Sequence, residues 1–185
     1  EFIELLVAQP ITRKAVFMGH YCGFTGSLLL AIGMGLFLPV FILAGPGDAL
    51  LIFLPAAFLT LVFSAFAFFS SVGSPDKSKG IGKSLLIWFV LTVLYDGLVM
   101  AVLFLFNDYP LDHAVLAMTA LNPVDLARIM VMIKLDASAL MGFTGAVFSR
   151  FFGAEVGFLV ACSLLLIWMV LPLLMALRKF TRQDL

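Results

Sequence analysis

Asp96, in Tyr95-Asp96-Gly97, sits inside a long apolar run, and no other residue of this chain so plainly needs a chemical account. An acid at the centre of a membrane helix costs roughly 2.5–3.5 kcal/mol on insertion scales. Two readings answer that cost. Asp96 is part of a cargo pathway or proton relay, or its carboxyl group is hydrogen-bonded to a neighbouring helix. Glu155 lies at the edge of another apolar run, where it is more easily hydrated and an interfacial role suffices. Gly82-Lys83-Ser84 has the ending of a phosphate-binding P-loop, but the pattern requires a glycine five positions before Gly82, where Lys77 stands. Nucleotide binding is therefore not assigned to this chain, and any ATP work, with its Mg, is expected of another subunit.

Soft metal ligands are present as nine Met and two Cys, and thioether and thiolate suit Cu(I). Met130 and Met132 are two apart, which on a helix puts them on different faces, and Met is also an ordinary filler of apolar packing. Cys22 and Cys162 fall in separate apolar runs without a CxxC pair. His20 and His113 stand alone. There is no HExxH, no hydrolase elbow and no Ser/His/Asp arrangement. No catalytic residue, metal site or bound cofactor is assigned, and the chain reads as a non-enzyme.

The elements that carry these residues follow from composition. The 185-residue chain is 63% hydrophobic and only 12% charged, against about a quarter charged in a soluble domain. That leaves too little polar surface for a water-soluble globule, so lipid is the solvent for much of it. Zero formal net charge argues against nucleic acid as a partner. Four stretches, 17–43, 49–71, 84–106 and 154–177, are long enough to cross about 30 Å of hydrocarbon as helices. The first is long enough to tilt. The predicted fold is an all-α polytopic membrane protein.

Orientation follows from Lys and Arg. Arg13, Lys14, Lys77, Lys79, Lys83, Arg178, Lys179 and Arg182 all fall on one side of this topology. The segment 107–153 has three basic residues against four Asp. The basic side is expected to be cytoplasmic, with both chain ends there. In the first span Gly19, Gly23, Ser27, Ala31 and Gly35 form a stripe of small residues at four-residue spacing, suited to close helix–helix packing.

The 107–153 segment is too long for a bare loop. Pro110 and Asp112 open one predicted helix, through about Leu121. Asn122-Pro123 then starts a second, with Asn as N-cap, Pro in the first turn and Asp125 at the positive helix end. Leu126, Ile129, Met130 and Ile133 recur at helical spacing, with Arg128 elsewhere. This pattern reads as a small extracytoplasmic helical cap resting on the spans or on a partner. At the other end Glu1-Phe2-Ile3-Glu4-Leu5-Leu6-Val7-Ala8-Gln9 forms a short amphipathic helix stopped by Pro10. Such a helix anchors at the interface or receives force from a soluble partner.

The run from Glu4-Leu5-Leu6 through Gln9-Pro10-Ile11-Thr12-Arg13, followed by Gly19, resembles the coupling-helix region of ABC-2-type transporter permeases. In that family the region joins the second and third of six spans. The resemblance implies that the four spans here are the third to sixth, and that the chain lacks the first two. It implies a division into a coupling-helix region (1–14), three spans (15–106), a periplasmic cap (107–153) and a last span with cytoplasmic tail (154–185). A narrower resemblance lies in Leu121-Asn122-Pro123-Val124-Asp125-Leu126-Ala127-Arg128-Ile129 and in 135–148, taken with Tyr95-Asp96-Gly97. These are similar to permeases that serve maturation of the copper–sulfur centres of nitrous oxide reductase.

That likeness implies an inner-membrane homodimer of permeases, a dimer of ABC ATPase subunits and a periplasmic β-helical partner protein. Contact with the ATPase is expected at Glu1, Glu4, Leu5, Leu6, Gln9, Pro10, Thr12 and Arg13, a cargo pathway at Asp96, and contact with the periplasmic partner at Asn122, Asp125 and Arg128. A general exporter of lipid, drug or polysaccharide and a non-transporting assembly scaffold are the alternative readings.

Overall fold

A computed structural model describes residues 12–74, 76–106, 108–134 and 142–182. Among these it holds helices and no strand. Four helices are long and apolar enough to cross a membrane: Arg13–Ala44 (α1), Pro46–Val72 (α2), Lys77–Leu105 (α3) and Glu155–Arg182. The last is the main part of a longer helix, Gly142–Arg182 (α6), kinked at Gly153. The chain is a polytopic helical membrane protein; its spans match the expected apolar runs, except that helix extends past them at the basic end, beginning at Lys77 rather than 84 and ending at Arg182 rather than 177.

Local chemistry sets the breaks. Thr12 caps α1, its hydroxyl accepting from the Ala15 amide at 3.3 Å. Gly45 turns the chain from α1 into α2 at φ +98°, and Gly153 kinks α6 at φ +68°; both lie in the left-handed region that side chains with a Cβ disfavour. Basic side chains gather at one end of the bundle. There Lys83 donates to the Gly73 carbonyl at 3.4 Å, beside the C-terminus of α2, where cations are favoured.

Between α3 and α6 lie two short helices, Asp112–Ala120 (α4) and Pro123–Lys134 (α5), as the spacing of their capping and apolar residues predicts. The chain turns through 108° between them. They do rest on the spans, but their turn lies far along the spans rather than at the outer ends, where a cap would sit. Asn122 at the turn donates to the Leu91 carbonyl at 3.0 Å. Leu91 is fourteen residues from either end of Lys77–Leu105, so about 21 Å of helix lies to each side of it. The Ala120 carbonyl accepts from the Trp168 indole at 3.0 Å, and Trp168 is likewise central in Glu155–Arg182. The pair α4–α5 is a re-entrant hairpin whose tip reaches the middle of two spans.

The hairpin is also the centre of packing. Leu126, Ala127, Ile129 and Met130 of α5 form a buried cluster with Phe148, Ala161 and Leu165 of α6, and Leu54, Phe58 and Leu59 of α2 close over it. Met130 thus serves as packing. Helix α1 packs on the bundle at both ends: near the basic end Phe17 meets Phe68 and Phe180 and the Tyr21 hydroxyl donates to the Leu61 carbonyl at 3.2 Å, and toward the other end Phe37 meets Phe53 of α2. The small-residue stripe of α1 does not join in. Gly19, Gly23 and Gly35 have no heavy atom within 4 Å of an added Cβ, and Ser27 and Ala31 are exposed.

In a background lacking Cys22 and Cys162, cysteines replacing Leu91 and Asn122 are expected to be joined by a short thiol crosslinker. Cysteines replacing Leu105 and Asn122 are not, and gel mobility after proteolysis between the sites reads the difference.

Candidate functional site

The polar groups at the hairpin tip converge on α3. A π turn, Val90–Leu94, interrupts that helix, a feature frequent at functional sites. The Tyr95 amide bonds the Val90 carbonyl five residues back, whereas in a regular α-helix it would bond Leu91. The Leu91 carbonyl accepts from Asn122 Nδ2 instead. The same Asn122 side chain caps α5, its Oδ1 accepting from the Val124 amide at 2.9 Å. One turn on, the Tyr95 hydroxyl donates to the Met118 carbonyl of α4 at 2.6 Å.

Asp96, the next residue, meets Arg128 of α5. Arg128 Nη2 lies 3.0 Å from Asp96 Oδ2, and its Nη1 lies 3.1 Å from Asp125 Oδ1. One planar guanidinium thereby holds two carboxylates, a geometry lysine lacks. Asp125 is nearly covered, its side chain 8% exposed, while Asp96 and Arg128 remain 40% and 46% exposed. Charged groups at this depth avoid lipid and face a bundle interior or a hydrated cavity. The open side of the triad therefore marks a face of this chain turned toward protein or water.

Of the residues singled out from sequence, Asp96, Asn122, Asp125 and Arg128 come together in one mid-span cluster. The latter three stand against the spans: Asn122 bonds the Leu91 carbonyl of α3, and Arg128 joins Asp125 to Asp96. Thr12 and Arg13 start α1 at the basic end; Glu1, Glu4, Leu5, Leu6, Gln9 and Pro10 lie outside the described residues. Glu155 is exposed at the head of the last span. Sequence reasoning missed Tyr95 and Trp168 as fasteners of the hairpin. Their signal was a phenol and an indole deep in apolar runs, where each needs an acceptor.

The chain is 29% identical over 148 residues to the probable ABC transporter permease protein NosY of Pseudomonas aeruginosa, covering 75% of this chain and 54% of that protein. It is 28% identical over 197 aligned positions to the protein of the same description from Stutzerimonas stutzeri, covering 98% of this chain and 68% of that one. This chain is similar to ABC transporter permeases. It spans about half the length of the first relative and about two-thirds of the second. No family model matches it. The alignment with the second relative takes in nearly the whole chain, the spans and the hairpin alike.

Arg128→Ala is expected to destabilise the fold by about 1–3 kcal/mol, below the cost of breaking a fully buried pair because Asp96 and Arg128 are partly exposed. Adding Asp96→Asn and Asp125→Asn to that variant recovers most of the loss, since no unpaired carboxylate then remains. Thermal unfolding in detergent across the set reads the coupling.

Proposed function

We propose that the chain is the membrane permease of an ATP-driven ABC-2-type transporter that supports assembly of the copper–sulfur centres of nitrous oxide reductase. The half-open Asp96–Arg128–Asp125 triad at mid-span, held by a hairpin built on the Asn122–Ile129 motif, carries this reading. The similarity to two NosY permeases supports it, and the maturation role follows the narrower resemblance of that motif. A general exporter of lipid, drug or polysaccharide would share the coupling segment but gives no reason for the motif.

In this reading the basic end faces the cytoplasm, and closure of an ATPase dimer pushes on residues 1–13. The movement passes through the bundle to α3, and Tyr95, Asp96 and Leu91 transmit it to the hairpin. Copper or sulfur cargo moves past Asp96, and a periplasmic β-helical partner receives it at the outer side. A second copy of the permease packs on the small-residue face of α1, which no described helix covers. A scaffold that moves nothing differs in one respect: reductase maturation would survive ATPase-dead partner subunits.

Asp96→Asn, expressed at the normal level, is expected to leave the reductase deficient in its copper–sulfur centres by metal and sulfide analysis. Normal centres in that variant remove Asp96 from the pathway. A cysteine at Leu6 is expected to crosslink to the ATPase subunit in the active complex, and its failure to do so counts against the coupling role of 1–13.

A further inference from the structure

At the basic end, α2 and α3 approach closely where Gly80 faces the backbone of Ser70 and Ser71, and a Cβ there would lie 3.5 Å from Ser71 Cα. Alongside this approach the two spans leave a lateral cleft of about 800 Å³. Its lining is apolar at Phe63, Leu85 and Trp88 and polar toward the basic end, at Ser71, Ser74, Asp76 and Lys77. Trp88 is eleven residues past Lys77, or about 16 Å along the helix, and lies inside the apolar run 84–106, which Lys77 precedes. The cleft therefore runs from a polar mouth at the membrane surface into the adjacent leaflet.

The charged groups at the mouth are not equally engaged. Asp76 is held by Lys79 at 3.3 Å, and Lys83 bonds the Gly73 carbonyl. Lys77 has no ion pair among the described residues and lines the opening. Asp76 and Lys77 are the charged residues of the lining; with Asp76 offset by Lys79, the positive charge of Lys77 stands above a slot that fits hydrocarbon. Basic pockets between transmembrane helices at this level suit phosphate head groups.

We propose that this cleft binds one anionic phospholipid, its acyl chain against Phe63, Leu85 and Trp88 and its phosphate at Lys77. A lipid so placed braces α3 against α2 below the π turn that carries the hairpin.

The test uses the full-length permease with its ATPase, exchanged into nanodiscs of equimolar phosphatidylglycerol and phosphatidylcholine. Lipid retained after detergent extraction is counted by native mass spectrometry. Phosphatidylglycerol is expected to be retained about fivefold over phosphatidylcholine. Lys77→Glu should abolish that preference, Ala67→Trp should reduce retention of both lipids by filling the cleft, and Lys14→Glu, at the same end but off the cleft, should change neither. Thermal unfolding confirms that each variant is folded. Equal retention of the two lipids by the native protein overturns the proposal. So does a loss with Lys14→Glu equal to that with Lys77→Glu, unchanged retention in Ala67→Trp, or crosslinking of a cysteine at position 67 to another transmembrane segment.

Discussion

A helical hairpin that enters a bilayer brings with it the unpaired carbonyls of one helix end and the unpaired amides of the next, and hydrocarbon offers neither a partner. In this protein that constraint governs the arrangement of the bundle. The carbonyls of Met118 and Ala120 at the end of α4 receive the Tyr95 hydroxyl and the Trp168 indole. The start of α5 is capped by Asn122, whose other end is spent on the Leu91 carbonyl. Because those donors come from two different spans, the hairpin tip cannot settle without fixing α3 and α6 relative to one another.

The π turn in α3 belongs to the same solution. By shifting the Tyr95 amide to Val90 it leaves Leu91 open to a side-chain donor, and it places Tyr95 and Asp96 beside the hairpin one turn later. The charges then add a second fastening. An aspartate in a span is expensive alone, but a guanidinium shared with Asp125 supplies its counter-charge within hydrogen-bonding distance. Half of Asp96 and of Arg128 still stays open, which a purely structural pair in lipid has no cause to do. A feature that both holds the fold and exposes charge at mid-span is suited to a site that moves.

Packing is distributed unevenly for a related reason. Apolar side chains gain little from one another over lipid tails, so stability concentrates where shapes interlock and polar groups pair. That place is α5 between α2 and α6, around Leu126, Met130, Phe148 and Leu165. Helix α1 is fixed near its base through Phe17 and Tyr21 and again through Phe37 against Phe53, while its glycine stripe faces away from the described helices.

The number and approximate limits of the spans, the helices Asp112–Ala120 and Pro123–Lys134 and the N-cap at Asn122 could be read from sequence alone, but not the helical stretch from Gly142 that precedes the last span. Each rests on local physics: hydrocarbon thickness sets helix length, and Asn-Pro sets a helix start wherever it occurs. The depth of the hairpin could not be read this way, because both an outer cap and a re-entrant pair need the same apolar periodicity on α5. Nor could the pairing of Asp96 with Arg128, 32 residues away, since the sequence marks each charge as needing a partner without saying which. Tertiary structure decided both, by bringing Asn122 to the one turn of α3 whose carbonyl ladder is broken. It also turned the glycine stripe of α1 outward, because the bulky Phe17 and Tyr21, not the small residues, found complementary rings and a carbonyl on α2.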